Sequence, residues 1–444
     1  MNQVAEAKVR SRTTRARGRS SDETYTPIMN FNQLRSPVTL FRCRICSHIP
    51  VLQDLPPQRP LNTNWHEASL GRFFNDWIIR SNIPLGTFGF IQELFNQPNC
   101  RPYLKEAVEA VAFVNQSNQM NIAWLAVDGR RAYCNSIGLV QEALKDDVEA
   151  RTDDCMATLI LYGLLTSEAI LLIYNHSINR ATLRCLVTNK PPAKEAERWL
   201  HDIGLDDIAN QLAKCNLKTV RLCADAQNLF NSKTQDEYWI LGLLNVLKNA
   251  ILVDIVCQDW SNSVSGIWRY RTMRTSSNPD LCAQCNGTAM EQRTDPTFVY
   301  HDIMAAGIWN NYRSARIHLH EVLLHCSALL ELHPSAAALA LDHGYTQSES
   351  HTIISKMISE ICSSVSFCLG KIDSEGKPTT KENRKAVCGY LLIWPLFMAK
   401  NSCTTGSERF TWITDILREI ATEGGLRGAF QLIDKPKKTN WDLG

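Results

Sequence analysis

The chain has 444 residues, with 47 Lys and Arg against 45 Asp and Glu, which excludes a protein held to nucleic acid or membrane by its overall charge. Hydrophobic residues at 44% and charged residues at 21% exclude wholesale disorder, and the length allows a sizeable core. With only 21 Gly and 17 Pro the chain is poor in turn-formers, against an all-β sandwich or barrel that needs a turn signal every ~8–12 residues.

The first segment carries Lys8, Arg10, Arg12, Arg15, Arg17 and Arg19 with no acidic residue among them, and Pro50, Pro56, Pro57 and Pro60 follow. This composition predicts a disordered basic tail over 1–62. It lacks the apolar stretch of a secretory signal, so the 16 cysteines are expected to be free thiols in a reducing, intracellular compartment. An all-α body is expected over 63–436, followed by a short tail over 437–444.

Helical spacing begins near Trp65. Tyr133, Ile137, Val140 and Leu144 recur on one helix face. Thr152, Asp153 and Asp154 read as an N-cap with an acidic first turn, opening an apolar helix from Cys155. The stretch from Cys155 to Tyr174 is about long enough to span a bilayer, but Thr166, Ser167 and Glu168 near its middle favour a buried core helix. Ala386 to Ala399, which contains Pro395, reads the same way, and no membrane association is expected. Ile308, Tyr312, Ala315, Leu319, Val322 and Cys326 form the best amphipathic stripe, with Ser314, His318, Glu321 and His325 on a flank. Ile413, Leu417 and Ile420 repeat the pattern before a Gly424-Gly425 stop. Ser261 to Asp295 and Lys371 to Lys385 read as surface loops. Strand evidence is confined to the β-branched run Ile251 to Val256.

Three groups of residues invite chemistry. Cys43 and Cys46, and Cys282 and Cys285, are Cys-x-x-Cys pairs whose thiolates can share a zinc ion. The pairs lie too far apart for a compact finger, so loop cysteines with chance spacing are the preferred reading. The segment His318 to His325 suggests a zinc-protease helix, but His320 and His325 are five residues apart and point about 140° from one another. His318 and His325 share a face but stand ~10 Å apart along the axis. Solvated flank histidines are therefore expected. No nucleophile elbow, phosphate loop or dinucleotide fingerprint is present, so no catalytic residue, no cofactor and no enzymatic activity are predicted. The six basic residues from Lys8 to Arg19 are nuclear-import or phosphate-contact candidates, with a solvated tail of no role as the alternative.

Several segments together resemble the regulatory domain of fungal binuclear zinc-cluster transcription factors. Gly389-Tyr390-Leu391-Leu392-Ile393-Trp394-Pro395-Leu396-Phe397 resembles that family's Gly-Tyr-Leu-Leu-x-Trp-Pro-Leu segment, followed by Trp412-Ile413 and Gly425-Leu426-Arg427-Gly428-Ala429. Asn310, Tyr312, Arg313 and Arg316 match its Asn-x-Tyr-Arg-x-x-Arg helix, and Val108 to Ala169 resembles an early helical segment with the Thr-Asp-Asp cap. The six-cysteine module is missing: nothing precedes Cys43, and no cysteine falls between Cys46 and Cys100. Either the protein lacks a DNA reader or the gene model is truncated. The resemblance implies a nuclear transcription regulator, or a cytoplasmic relative. It would act through a finger-bearing partner, a second copy of itself or a small-molecule effector, with weak non-specific nucleic-acid contact through the tail. By analogy, its targets would lie in a secondary-metabolite gene cluster. The rival reading is an intracellular all-α ligand-binding protein or enzyme that has reused the scaffold.

Overall fold

Five helix starts are written into the chain as side-chain caps. Asn64, Asp236, Asp302, Thr346 and Ser407 each accept a hydrogen bond from a backbone N–H two or three residues into the helix that follows. A computed structural model describes residues 64–78, 88–165, 208–273, 296–333, 346–380, 385–426 and 429–433. All belong to the unit Asp54–Gly444. The predicted tails over 1–62 and 437–444 lie outside the described residues.

The described chain is mostly helical, as expected from its periodicity. Its helices are α1 (Trp65–Trp77), α2 (Gly89–Phe95), α3 (Pro102–Met120), α4 (Ala123–Ala143), α5 (Asp153–Leu165), α6 (Ile208–Phe230) and α7 (Glu237–Ser263). They continue as α8 (Ile303–Glu331), α9 (Gln347–Cys368), α10 (Ala386–Asn401), α11 (Glu408–Glu423) and α12 (Ala429–Ile433). Strands β1 (Arg271–Met273) and β2 (Thr297–Val299) pair antiparallel, with Thr272 opposite Phe298.

Two hairpins and a central helix organise these elements. In the first hairpin α3 turns at Asn121, which adopts the left-handed region, and packs along α4. The approach is close, since a Cβ on Gly129 would fall 2.8 Å from Val114 Cγ2. The second hairpin is α6 and α7. Helix α8 packs against α6, α7, α9 and α10, and every residue from Met304 to His320 is buried. Helix α10 is buried from Ala386 to Leu396 and apolar on all sides, as a core helix must be. Pro395 sits inside it.

Several expectations hold. Tyr133, Ile137 and Val140 share one face of α4, with Val140 buried and the other two half-buried, Thr152 Oγ1 accepts from Cys155 N, and the whole stripe from Ile308 to Cys326 is buried. Others need correction. The run Ile251 to Val256 is helical, inside α7, because the Asp236 cap and the long apolar face carry one helix through it. Strand β1 instead lies in the region expected to be loop, where Tyr270 stacks on Phe298 across the pair. The helix expected from Cys155 is described only to Leu165 and is not wholly core, since Met156 and Leu159 are exposed. Among the described residues the helix long and apolar enough to cross a bilayer is α7, and one third of its most apolar window is buried. The described cysteines form no disulfide, and all but Cys134 are buried.

The predicted glycine stop after α11 is a docking point. Gly425 has φ +69°, and a Cβ there would lie 2.9 Å from Asn115 O. Asn115 Nδ2 donates to Gly424 O at 3.1 Å and Asn118 Nδ2 to Gly425 O at 3.0 Å, fixing the end of α11 on α3. Gly406 shares the positive φ, but its Cβ position is open. Gly425→Ala is expected to cost about 2–4 kcal/mol, combining a left-handed alanine with a backbone clash, against about 1–2 kcal/mol for Gly406→Ala. Urea denaturation of the two variants checks this, and equal losses would show that the Asn115 contact yields freely.

Candidate functional site

The polar residues of α8 face the core and build two linked clusters. In the first, Asp254 on α7 takes a bidentate contact from Arg316, with Nε 2.6 Å from Oδ1 and Nη2 2.8 Å from Oδ2. Gln258 Nε2 donates to Oδ2 at 2.6 Å, and Arg316 Nη1 donates to the Tyr312 hydroxyl at 3.1 Å. His320 Nε2 stands 3.2 Å from Asp254 Oδ1, while its Nδ1 lies 2.8 Å from Ser350 Oγ on α9. The His320 ring thus bridges Asp254 on α7 and Ser350 on α9. Burial works to raise the Asp254 pKa, but the neighbouring His320 ring and the Arg316 guanidinium prevail and hold it well below the usual carboxylate range.

Arg313 occupies the second cluster, and its side chain is wholly buried. Nε pairs with Glu360 on α9 at 3.0 Å, and Nη1 donates to Tyr300 Oη at 2.8 Å and to Asn310 Oδ1 at 2.9 Å. The guanidinium also lies 5.1 Å from the Tyr270 ring centre, 5.2 Å from that of Phe298 and 5.5 Å from that of Trp309. Burial pushes the Tyr300 hydroxyl pKa up, keeping it a neutral hydrogen-bonding partner.

This arrangement overturns the expectation for the histidines. His318 and His320 are buried and His325 is half-buried, its ring 4.3 Å from that of Phe230. Packing of α6, α7, α9 and α10 around α8 leaves no solvated flank for them. His318 Nδ1 lies 3.8 Å from Glu321 Oε2, and Glu321 Oε1 accepts from Oγ of Ser402, the residue that caps the end of α10, at 2.7 Å. Burial alone would push the His318 pKa down, but Cys223 on α6 and Glu321 raise it to about 10. Among the described residues no group of three or more His, Cys, Asp or Glu is placed to hold a metal ion. The basic candidates Lys8, Arg10, Arg12, Arg15, Arg17 and Arg19, and the cysteines Cys43, Cys46, Cys282 and Cys285, lie outside the described residues.

The sequence marks the arginines but not their partners. The available signal was a carboxylate, Asp254, alone in the apolar run from Ile251 to Val256, since a charge there requires a buried counter-charge.

The surface offers two further features. A cleft of about 270 Å³ is lined by Arg72, Lys385, Gly389, Glu419, Glu423 and Gly424, so both signs of charge meet in it. The outward face of α7 exposes Tyr238, Leu241, Leu252, Ile255 and Val256, with Tyr238 83% and Leu241 60% exposed. These five share one helix face about 27 Å long, interrupted by the exposed Asn245 and Lys248.

Removing one member of the Asp254–Arg316 pair leaves the other charged and buried. Asp254→Ala is expected to cost about 3–5 kcal/mol in urea denaturation, and the double replacement Asp254→Leu/Arg316→Met less than that. A double variant weaker than Asp254→Ala would contradict this account. His318 generates a pH prediction. Its pKa is raised on folding, so its stabilisation is complete below its unfolded value of about 6.5 and is lost as pH rises toward about 10. The melting temperature is expected to fall from pH 7 to pH 10, and His318→Gln to flatten that slope. Parallel slopes in the two proteins would remove His318 as the cause.

In comparison with protein-family models, curated proteins and solved structures, the chain matches none.

Proposed function

We propose that the chain is a nuclear transcription regulator similar to the helical regulatory domain of fungal zinc-cluster factors, acting through protein partners rather than by chemistry. The observation that carries the reading is the fate of Asn310, Tyr312, Arg313 and Arg316. All four residues of the family-like pattern are buried in hydrogen-bonded contacts that hold α7, α8 and α9 together. A pattern spent on internal packing marks a scaffold, and a scaffold works through its surface. The apolar face of α7 is the surface it presents, of the kind that marks protein–protein contact. The partner is a finger-bearing regulator or a second copy of the chain. The basic residues from Lys8 to Arg19 serve nuclear import, and the genes controlled belong to a secondary-metabolite cluster.

The cleft beside Gly389 and Gly424 favours one second reading, a ligand-binding protein on the same scaffold, because opposed charges around a recess suit a small zwitterionic or polar molecule.

The test fuses the full chain to a heterologous DNA-binding domain and measures a reporter placed behind its operator. Output is expected to change several-fold in either direction, and Leu241→Glu/Leu252→Glu/Ile255→Glu to abolish the change while the melting temperature stays within a few degrees. An unchanged reporter with a folded, nuclear fusion overturns the regulatory reading.

A further inference from the structure

The α6–α7 hairpin has a fixed antiparallel register. Trp239 Nε1 donates to Leu229 O at 2.9 Å near the closed end, and Trp260 Nε1 donates to Ile208 O at 2.8 Å near the open end. Between them the helices touch closely, since a Cβ on Gly242 would lie 2.8 Å from Leu229 Cδ2. Cys257 is fifteen residues on from Gly242, and Cys215 is fourteen back from Leu229. Near-equal steps in opposite directions keep residues of an antiparallel pair level. Fourteen or fifteen residues are also four turns at ~3.6 per turn, so both side chains return to the facing surfaces. The two thiols accordingly face one another across the hairpin, close enough for each to perturb the other. Both are buried, Cys215 at 5% and Cys257 at 1% exposure.

The pair is asymmetric. The facing Cys257 thiol, helped by Lys218 and opposed by burial, lowers the Cys215 pKa. The facing Cys215 and burial push the Cys257 pKa up, so the proton stays there. A buried thiol is ordinarily inert because it has neither thiolate character nor a partner. Cys215 has both.

We propose that Cys215 and Cys257 are a peroxide-responsive pair that closes to a reversible disulfide and locks α6 to α7. The Cys215 thiolate attacks one oxygen of hydrogen peroxide, admitted by transient opening of the hairpin. The O–O bond breaks, hydroxide leaves and is protonated to water, and Cys215 becomes a sulfenic acid. Cys257 Sγ then attacks Cys215 Sγ. The S–S bond forms, the S–O bond breaks, and the hydroxyl leaves with the thiol proton as a second water. The two sulfurs together lose two electrons and the peroxide gains them, while a dithiol reverses the change. Asp254 lies one turn before Cys257 on α7, so the cross-link clamps the helix that also carries the Arg316 contact and the exposed apolar face. The bond forms or fails whether or not the chain regulates transcription.

The experiment uses the full reduced chain, exposed to stoichiometric hydrogen peroxide, alkylated and digested with trypsin without reduction. The expected product joins the peptide 215–218 to the peptide 249–269, and it disappears on treatment with dithiothreitol. The oxidised chain should melt several degrees higher. With Cys257→Ala, a dimedone adduct should accumulate on Cys215. If both cysteines of the wild-type chain stay alkylated while the exposed Cys134 is oxidised, the proposal fails. It also fails if Cys215 is found joined to a cysteine other than Cys257.

Discussion

The contact between Asp254 and Arg316 is what the core is arranged around. A carboxylate and a guanidinium removed from water lose several kcal/mol each in hydration, and only a bidentate geometry with all remaining polar atoms engaged offsets that loss. Here Gln258, His320 and Tyr312 supply the remaining contacts. The pair is satisfied in one placement of α7 against α8. It therefore acts less as a source of stability than as a constraint on register. Arg313 extends the constraint to α9 through Glu360, and Ser350 extends it again through His320.

This constraint explains an inversion in how the helices divide polar from apolar surface. Helix α8 is rich in Asn, Arg and His yet buried along most of its length, whereas α10 is buried in the ordinary way, by being apolar on every side. Helix α7 lies between the two cases. It turns Asp254 inward and leaves Leu241, Leu252 and Ile255 outward. A helix that presents apolar residues to water while burying a carboxylate is held by contacts inside the chain and leaves an apolar face open. That is the physical content of the proposed interaction surface.

The α6–α7 hairpin shows how far local chemistry sets geometry. Two indole N–H groups choose backbone carbonyls as acceptors, Gly242 admits Leu229, and the remaining side chains fall into line along four turns. Cys215 and Cys257 meet as a consequence of that alignment. Forty-two positions separate them in the sequence, where neither belongs to a Cys-x-x-Cys motif.

Read from residues alone, the chain determined where the helix after Thr152 begins, which stripe of α8 turns inward and where α11 ends. These depend on interactions within one or two turns, such as the Thr152 cap, the Ile308–Cys326 stripe and the left-handed Gly425. Only the tertiary structure decided what the charges and histidines of α8 do. A flank is solvated or buried according to how many helices surround it, and periodicity shows one face at a time. Periodicity therefore puts His318 and His320 at the surface, where the packed structure buries both, and gives no sign of the Arg316 partner 62 residues away. A charge in an apolar run reports that a partner must exist. Which partner it is depends on the packing of α7 against α8, and that is settled by long-range contacts the local pattern does not encode.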